Sequence, residues 1–143
     1  MKLAIVVPHY GKDKLLKRSL GAAAISVTKA KIAFPQLQVK NFVHDNNANN
    51  IFFTKAVNAM IREAKAWGAD FFWILNNDTE AYENYVEMSI DRLMKSSRAG
   101  IVGGKNLLTE DPDHIFWAGS RQCAPAGVHK QGKVSFNQYT EAT

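Results

Sequence analysis

Three short segments hold most of the side chains able to bind a ligand or carry chemistry. Asp45-Asn46-Asn47-Ala48-Asn49-Asn50 and Asn76-Asn77-Asp78-Thr79-Glu80 each leave an apolar run and crowd carboxylates and amides together. Pro8-His9-Tyr10-Gly11-Lys12 follows the first apolar run of the chain. Taken singly, such a segment is a turn or a helix N-cap, because Asx side chains compete for nearby backbone hydrogen bonds. Taken together, they form a candidate site if the fold gathers them at one edge. A buried strand ending in an Asp-centred loop would place a carboxylate there.

The elements around these segments have that arrangement. Leu3-Ala4-Ile5-Val6-Val7 is a continuous, largely β-branched run closed by Pro8, the pattern of a strand buried on both faces. From Asp13 to about Lys31, Leu15, Leu16, Leu20, Ala23, Ala24 and Val27 recur near a 3.6 period opposite Lys12, Lys14, Lys17 and Arg18, which predicts an amphipathic helix. Leu37 to His44 reads as a second strand, Phe52 to Trp67 as a helix stopped by Gly68, and Phe71 to Leu75 as a third buried strand. Tyr82 to Ser97 reads as a further helix and Gly100-Ile101-Val102-Gly103 as a fourth short strand. Beyond Lys105, Ile115 to Ala118 is a candidate strand, and Cys123 to Lys133 reads as loop. Strands alternating with helices predict an α/β protein with a mostly parallel sheet. Ligands of such sheets bind beyond the carboxyl ends of the strands, where all three polar segments fall.

Length and composition narrow the class. With 143 residues and 46% apolar content, the chain is expected to form one domain over 1–143, or part of a larger one. The apolar fraction argues against disorder, and no run approaches the ~20 residues of a spanning helix. The first apolar run is short and has no cleavage pattern after it, so no signal peptide is read. A single cysteine, Cys123, rules out an internal disulfide framework and a four-cysteine zinc site. A cytoplasmic setting is expected, with the inner membrane face as the alternative. Net charge is +5, and residues 1–40 carry eight Lys or Arg against one acid. That skew would attract an anionic partner or simply form a solvated face. Nucleic acid is the weakest of the anionic choices, since aromatic and basic residues do not interleave as on a base-stacking surface.

The strand ends carry a family resemblance. The run from Leu3 to Tyr10 resembles the first strand of glycosyltransferase family 2. Val43-His44-Asp45-Asn46-Asn47 is similar to that family's second strand and its Val-Asp-Asn-Gly-Ser type loop, and Asn50-Ile51-Phe52-Phe53 leading to Asn58 to its Asn-Leu-Gly-Phe helix entry. Gly68 to Glu80 is the closest match, and Ala99 to Lys105 resembles the strand that follows in many members. The likeness covers about residues 3–120, with five motifs in the family's order. It implies the GT-A fold, a Rossmann-like nucleotide-binding α/β arrangement, here truncated.

The resemblance also implies a site. Pro8, Tyr10 and Asp45 would line the base and ribose pocket of a UDP- or dTDP-linked sugar, with Asp45 accepting a base N–H. Asp78 falls on the last position of the family's Asp-x-Asp motif, where a carboxylate holds Mg²⁺ or Mn²⁺ against the two phosphates. Asn76 stands where many relatives have the first Asp and would contact the sugar or ribose; Asn77, Asn58 and Lys55 complete the implied nucleotide-binding set. Lys55, like Lys12, would offset phosphate charge or remain a solvated lysine. Phe52 replaces the family's small Gly, and Gly11 stands where Asn is common. The acceptor half, with the carboxylate that activates a saccharide or lipid-linked acceptor for inverting transfer, has no counterpart in 1–143. Two readings follow: part of a polysaccharide- or glycolipid-building transferase, or a truncated, non-catalytic GT-A relative that binds nucleotide or assembles, a second copy covering its open sheet edge.

Other signals fail on spacing. A phosphate loop at Gly104-Lys105 lacks its first Gly at Ala99, and Ala81 occupies the turn position of a calcium loop begun at Asn76. No Gly-x-Ser-x-Gly elbow occurs. His9, His114 and His129 lack metal-ligand spacing and read as structural or surface residues, Glu80 and Glu83 read as acids at a helix N-terminus, and Cys123 reads as inert.

Overall fold

The apolar run near the N-terminus becomes β1 (Lys2–His9), buried along nearly its whole length. In the computed structural model, which describes residues 1–111, 113–117, 120–123 and 126–129, β1 pairs in parallel with both β2 (Gln38–Asp45) and β3 (Phe71–Ile74). The sheet order is β2-β1-β3. Helix α1 (Asp13–Ala33) links β1 to β2, and α2 (Phe52–Ala66) links β2 to β3. The two crossovers step in opposite directions across the sheet, so crossovers of one hand place their helices on opposite faces.

The cores have that arrangement. Leu3, Ile5 and Val7 pack with Ala23, Val27 and Ala30 of α1 and with Val86 and Ile90 of α3 (Tyr85–Lys95). Ala4, Val6 and Phe42 pack with Ala56, Val57, Met60 and Ala64 of α2. Alternate residues of β1 thus serve two cores, as the period-2 geometry of a strand dictates. This is an α/β fold with a Rossmann-like parallel arrangement, as the alternation predicts.

Helix ends follow from local chemistry. Pro35 cannot extend α1, which closes with Phe34 N–H donating to the Ala30 carbonyl. Gly68 has φ +84°; its N–H donates to the Lys65 carbonyl and that of Ala69 to Ala64, the paired bonds of a Schellman stop that only glycine adopts without strain. Helix α3 starts at Tyr85, later than the periodicity places it, because residues 76–84 are taken up by turns.

Three expectations need correction. β3 is not buried on both faces: Phe71 and Trp73 join the core beneath α1, whereas Phe72 and Ile74, in register with Ala4 and Val6, are exposed. Residues 100–103 form no strand. Gly100 and Gly103 lose much chain entropy on ordering, and Ile101, 92% exposed, buries nothing to offset it. Part of the stretch from Cys123 is strand, with β6 (Ser120–Cys123) pairing antiparallel with β7 (Ala126–His129); the rest of that expected loop lies outside the described residues. β4 (Asn106–Leu107) pairs antiparallel with β5 (Ile115–Trp117), and Ile115 is buried. The chain divides into two compact units, Met1–Ile90 and Asp91–Thr143. Every candidate site residue lies in the first.

Candidate functional site at the carboxyl edge of the sheet

All three strands run parallel, so the loops after β1, β2 and β3 open on one edge. Pro8 marks where β1 and β3 part. Even-numbered residues of β1 turn their backbone groups toward β3: Val6 accepts from Leu75 N–H at 3.0 Å, as Lys2 accepts from Asp70 N–H at 2.9 Å. Pro8 has no N–H to offer on that side, and β3 ends opposite Val6. The missing donor therefore costs no ladder bond. The order β2-β1-β3 reverses direction between β1 and β3, which makes this the switch point at which open α/β sheets take ligands.

Asparagine amides stitch the loops together. The Asn47 side chain accepts from Gly11 N–H at 3.0 Å and donates to the Gly11 carbonyl at 3.1 Å, joining the β2 loop to the β1 loop. Asn77 Nδ2 donates to the Tyr10 carbonyl at 2.8 Å, joining the β3 turn to the same loop. Asn46 is buried; its N–H donates to the His9 carbonyl and its Oδ1 accepts from Ile51 N–H. Asp45 Oδ1 accepts from Asn47 N–H at 2.8 Å, an Asx turn that sets the exit from β2.

His9 sits at the centre of this stitching, almost fully buried. Asn77 Nδ2 lies 2.9 Å from its Nδ1, and Asp13 Oδ1 lies 3.1 Å from its Nε2. An amide nitrogen only donates and a carboxylate only accepts, so the hydrogen bonds assign the proton to Nε2. Asn47 Nδ2 approaches that same nitrogen at 3.2 Å; with Nε2 already protonated, this is a packing contact. His9 is structural, as its lack of ligand spacing predicts.

The β3 turn is fixed from below. The Asn76 carbonyl accepts from Thr79 N–H and from the buried Ser19 hydroxyl of α1. Glu80 pairs with Arg18 and Glu83 with Lys29. These acids therefore tie α1 to the segment that leads into α3, Glu83 lying just before the helix start at Tyr85 and Glu80 further from it.

The candidate residues fall into three groups. Tyr10, Asp45, Asn76 and Asp78 are exposed on the loops at the edge, and Asp45 and Asp78 have no ion-pair partner among the described residues. Pro8 is buried, and Asn77 is half-buried with its amide donor engaged, so both shape the edge from within. Lys55 and Asn58 are exposed on the first turns of α2 and make no hydrogen bond to the loops among the described residues. At the entry to α2, Phe52 has φ +62°, a left-handed conformation rare for an aromatic residue. It is the position where the resembling family has glycine.

Among the described residues, no three His, Cys, Asp or Glu side chains gather into a metal cage. Nor is any helix long and apolar enough to cross a membrane. The organising roles of His9, Asn47 and Ser19 were not read from the sequence. His9 carried one signal: it continues the alternation Leu3, Ile5, Val7 and so belongs to the buried side of β1. Comparison with family models, with curated proteins and with solved structures finds no match.

Proposed function

We propose that the chain binds a nucleoside diphosphate sugar at this edge, as the donor-binding part of a family 2-like glycosyltransferase of GT-A type. One observation carries the reading: three polar loops are hydrogen-bonded to one another at the switch point between β1 and β3, where such sheets take ligands. The left-handed Phe52 adds to it, because that backbone accounts for the glycine of the resembling motif.

In this reading Tyr10 and Asp45 contact the base and ribose of a UDP- or dTDP-linked donor, Asp45 accepting a base N–H through the carboxylate oxygen left over from its Asx turn. Pro8 and Asn77 hold the Tyr10 loop in place. Asn76 contacts the sugar or ribose, and Lys55 and Asn58 serve the diphosphate side. Magnesium-type sites use one or two carboxylates and fill the rest with phosphate and water oxygens, so a lone Asp78 fits Mg²⁺ or Mn²⁺ held jointly with substrate, not an all-protein cage. When bound, the ion would supply Lewis-acid stabilisation of the diphosphate leaving group. The acceptor would be a saccharide or lipid-linked chain. A second reading, a nucleotide-binding GT-A relative without transfer activity, is favoured by the 76% exposed Phe52 ring, which occupies space that glycine leaves open beside the sugar.

The test is a thermal-shift titration with UDP, dTDP, GDP and CDP, with and without Mn²⁺, on the chain and on Asp78→Ala. A nucleotide at about 100 times its Kd stabilises by roughly 2.7 kcal/mol. Metal-dependent stabilisation by UDP or dTDP, lost in Asp78→Ala, is the expected result. No shift with any nucleotide overturns the proposal. Repeating the titration with the UDP- or dTDP-linked sugar separates the two readings: stabilisation by the nucleotide but none further by its sugar conjugate favours the second.

A further inference from the structure

Helix α1 has two faces that the donor site leaves unexplained. Its inner face is small and buried, made of Ser19, Ala23, Ser26, Val27 and Ala30. Its outer face carries Ile25 and Ile32, 62% and 81% exposed. At 100° per residue, Lys14, Gly21, Ile25 and Ile32 fall within about 40° of one another, with Lys17 and Thr28 beside them. Ala24, Ile25, Thr28, Lys29 and Ile32 line a shallow groove there. The helix has five Lys or Arg and a single acid, Asp13, which is bonded to His9. Arg18 and Lys29 are neutralised by Glu80 and Glu83. Lys14, Lys17 and Lys31 are exposed and have no acidic partner among the described residues.

We infer that the outer face of α1 docks on an anionic lipid surface. Exposed aliphatic side chains flanked by lysines are what an interfacial helix presents: the isoleucines enter the headgroup boundary while the lysines meet anionic headgroups. Charge decides the occupant. A second copy would set against the unpaired Lys14 and Lys17 a face of the same positive charge, whose one acid, Asp13, is held by His9, and like charges facing each other oppose association. A polynucleotide would satisfy the lysines but leave both isoleucines without an apolar partner, and α1 has no aromatic residue on which a base could stack. An anionic bilayer satisfies both kinds of side chain. The inference is independent of the donor-site proposal, since none of the edge residues takes part.

Co-flotation of the full chain with vesicles tests it. The chain is expected to float with vesicles of phosphatidylcholine containing about one-third phosphatidylserine and not with phosphatidylcholine alone, because each lysine near an anionic surface contributes roughly a fivefold gain. Lys14→Ala with Lys17→Ala is expected to weaken binding by about 25-fold, and added salt to reverse it. Ile25→Ser with Ile32→Ser is expected to weaken it by at least about tenfold, the loss of two buried aliphatic side chains. Both pairs are exposed, so an unchanged thermal melt checks the fold. Absence of flotation overturns the inference, as does flotation insensitive to either pair. Binding to DNA that survives the isoleucine changes reassigns the face to polyanions. A lipid-free dimer in sedimentation velocity that Ile25→Ser dissolves reassigns it to a second copy.

Discussion

β1 and β3 lie side by side, hydrogen-bonded in register from Leu3↔Phe71 to Val6↔Ile74, and both are runs of consecutive apolar residues. β1 has a strand on either side and a helix layer over each face, so Ala4 and Val6 are as deeply buried as Ile5 and Val7. β3 has one partner among the described residues, and α2 lies chiefly over β1 and β2, leaving Phe72 and Ile74 open. The side chains of β3 are the larger and more apolar. Its lower burial therefore comes from its place in the strand order, not from its own composition. The site lies where the two strands diverge: the closed strand supplies a rigid floor and the open one a turn that must be tied down.

The largest effect is expected at the closed strand. Ile5→Ala leaves a cavity in the core shared by β1, α1 and α3, and should cost about 3 kcal/mol in urea unfolding, within the roughly 2–5 kcal/mol of such truncations. A loss below about 1 kcal/mol would mean that α1 does not close over β1, and the contrast with β3 would collapse. Asn77→Ala comes next. It removes the amide that ties the β3 turn to the Tyr10 carbonyl and leaves the buried Nδ1 of His9 without a donor. An unsatisfied buried polar group costs about 1–3 kcal/mol, so a loss near 2 kcal/mol is expected. Asn77→Asp would repair neither bond, because a carboxylate has no donor for the Tyr10 carbonyl.

Much of this was legible in the sequence. The β-branched run of β1, the 3.6 period of α1 and the stop at Gly68 are local signals, and the fold follows them within a residue or two. That the three loops share one edge follows from alternation alone. What escaped was set by neighbours distant in sequence. Whether β3 was central or at an edge depends on strand order, which no five-residue window contains. The pairing of Asn47 with Gly11 and of Asn77 with Tyr10 joins residues 36 and 67 apart, and nothing in an Asn-rich loop says which amide turns inward. Gly100 to Gly103 failed because two valid strand residues, Ile101 and Val102, were read without the cost of the glycines around them.

The entry to α2, the helix that covers β1 and leaves Phe72 and Ile74 of β3 partly exposed, offers a smaller effect of opposite sign. Phe52 sits at φ +62° with its ring largely in solvent. A left-handed backbone costs a side-chain-bearing residue about 1–2 kcal/mol, and the added chain entropy of glycine returns part of that to the unfolded state. Phe52→Gly should therefore stabilise by something under about 1 kcal/mol in thermal unfolding. Destabilisation instead would mean that the ring packs on the α2 side of the sheet, and that this side is less open at β3 than its exposure indicates.

The smallest effect tests the comparison most directly. Ile74 and Val6 face each other across the ladder on the same side of the sheet, yet Ile74 is 49% exposed and Val6 is fully buried. Threonine keeps the β-branch that a strand favours, so Ile74→Thr loses only part of an aliphatic contact and gives its hydroxyl to water. The expected change is within about 0.5 kcal/mol, the range of surface substitutions. The same replacement at Val6 would bury a hydroxyl beneath α2, where an unpartnered group costs on the order of 1–3 kcal/mol. Equal losses at the two positions would show that something covers β3 in solution. Sedimentation of the Ile74→Thr chain against wild type then identifies it: a dimer lost on substitution is a second copy pairing along the open strand, whereas a monomer throughout places the cover within the chain itself.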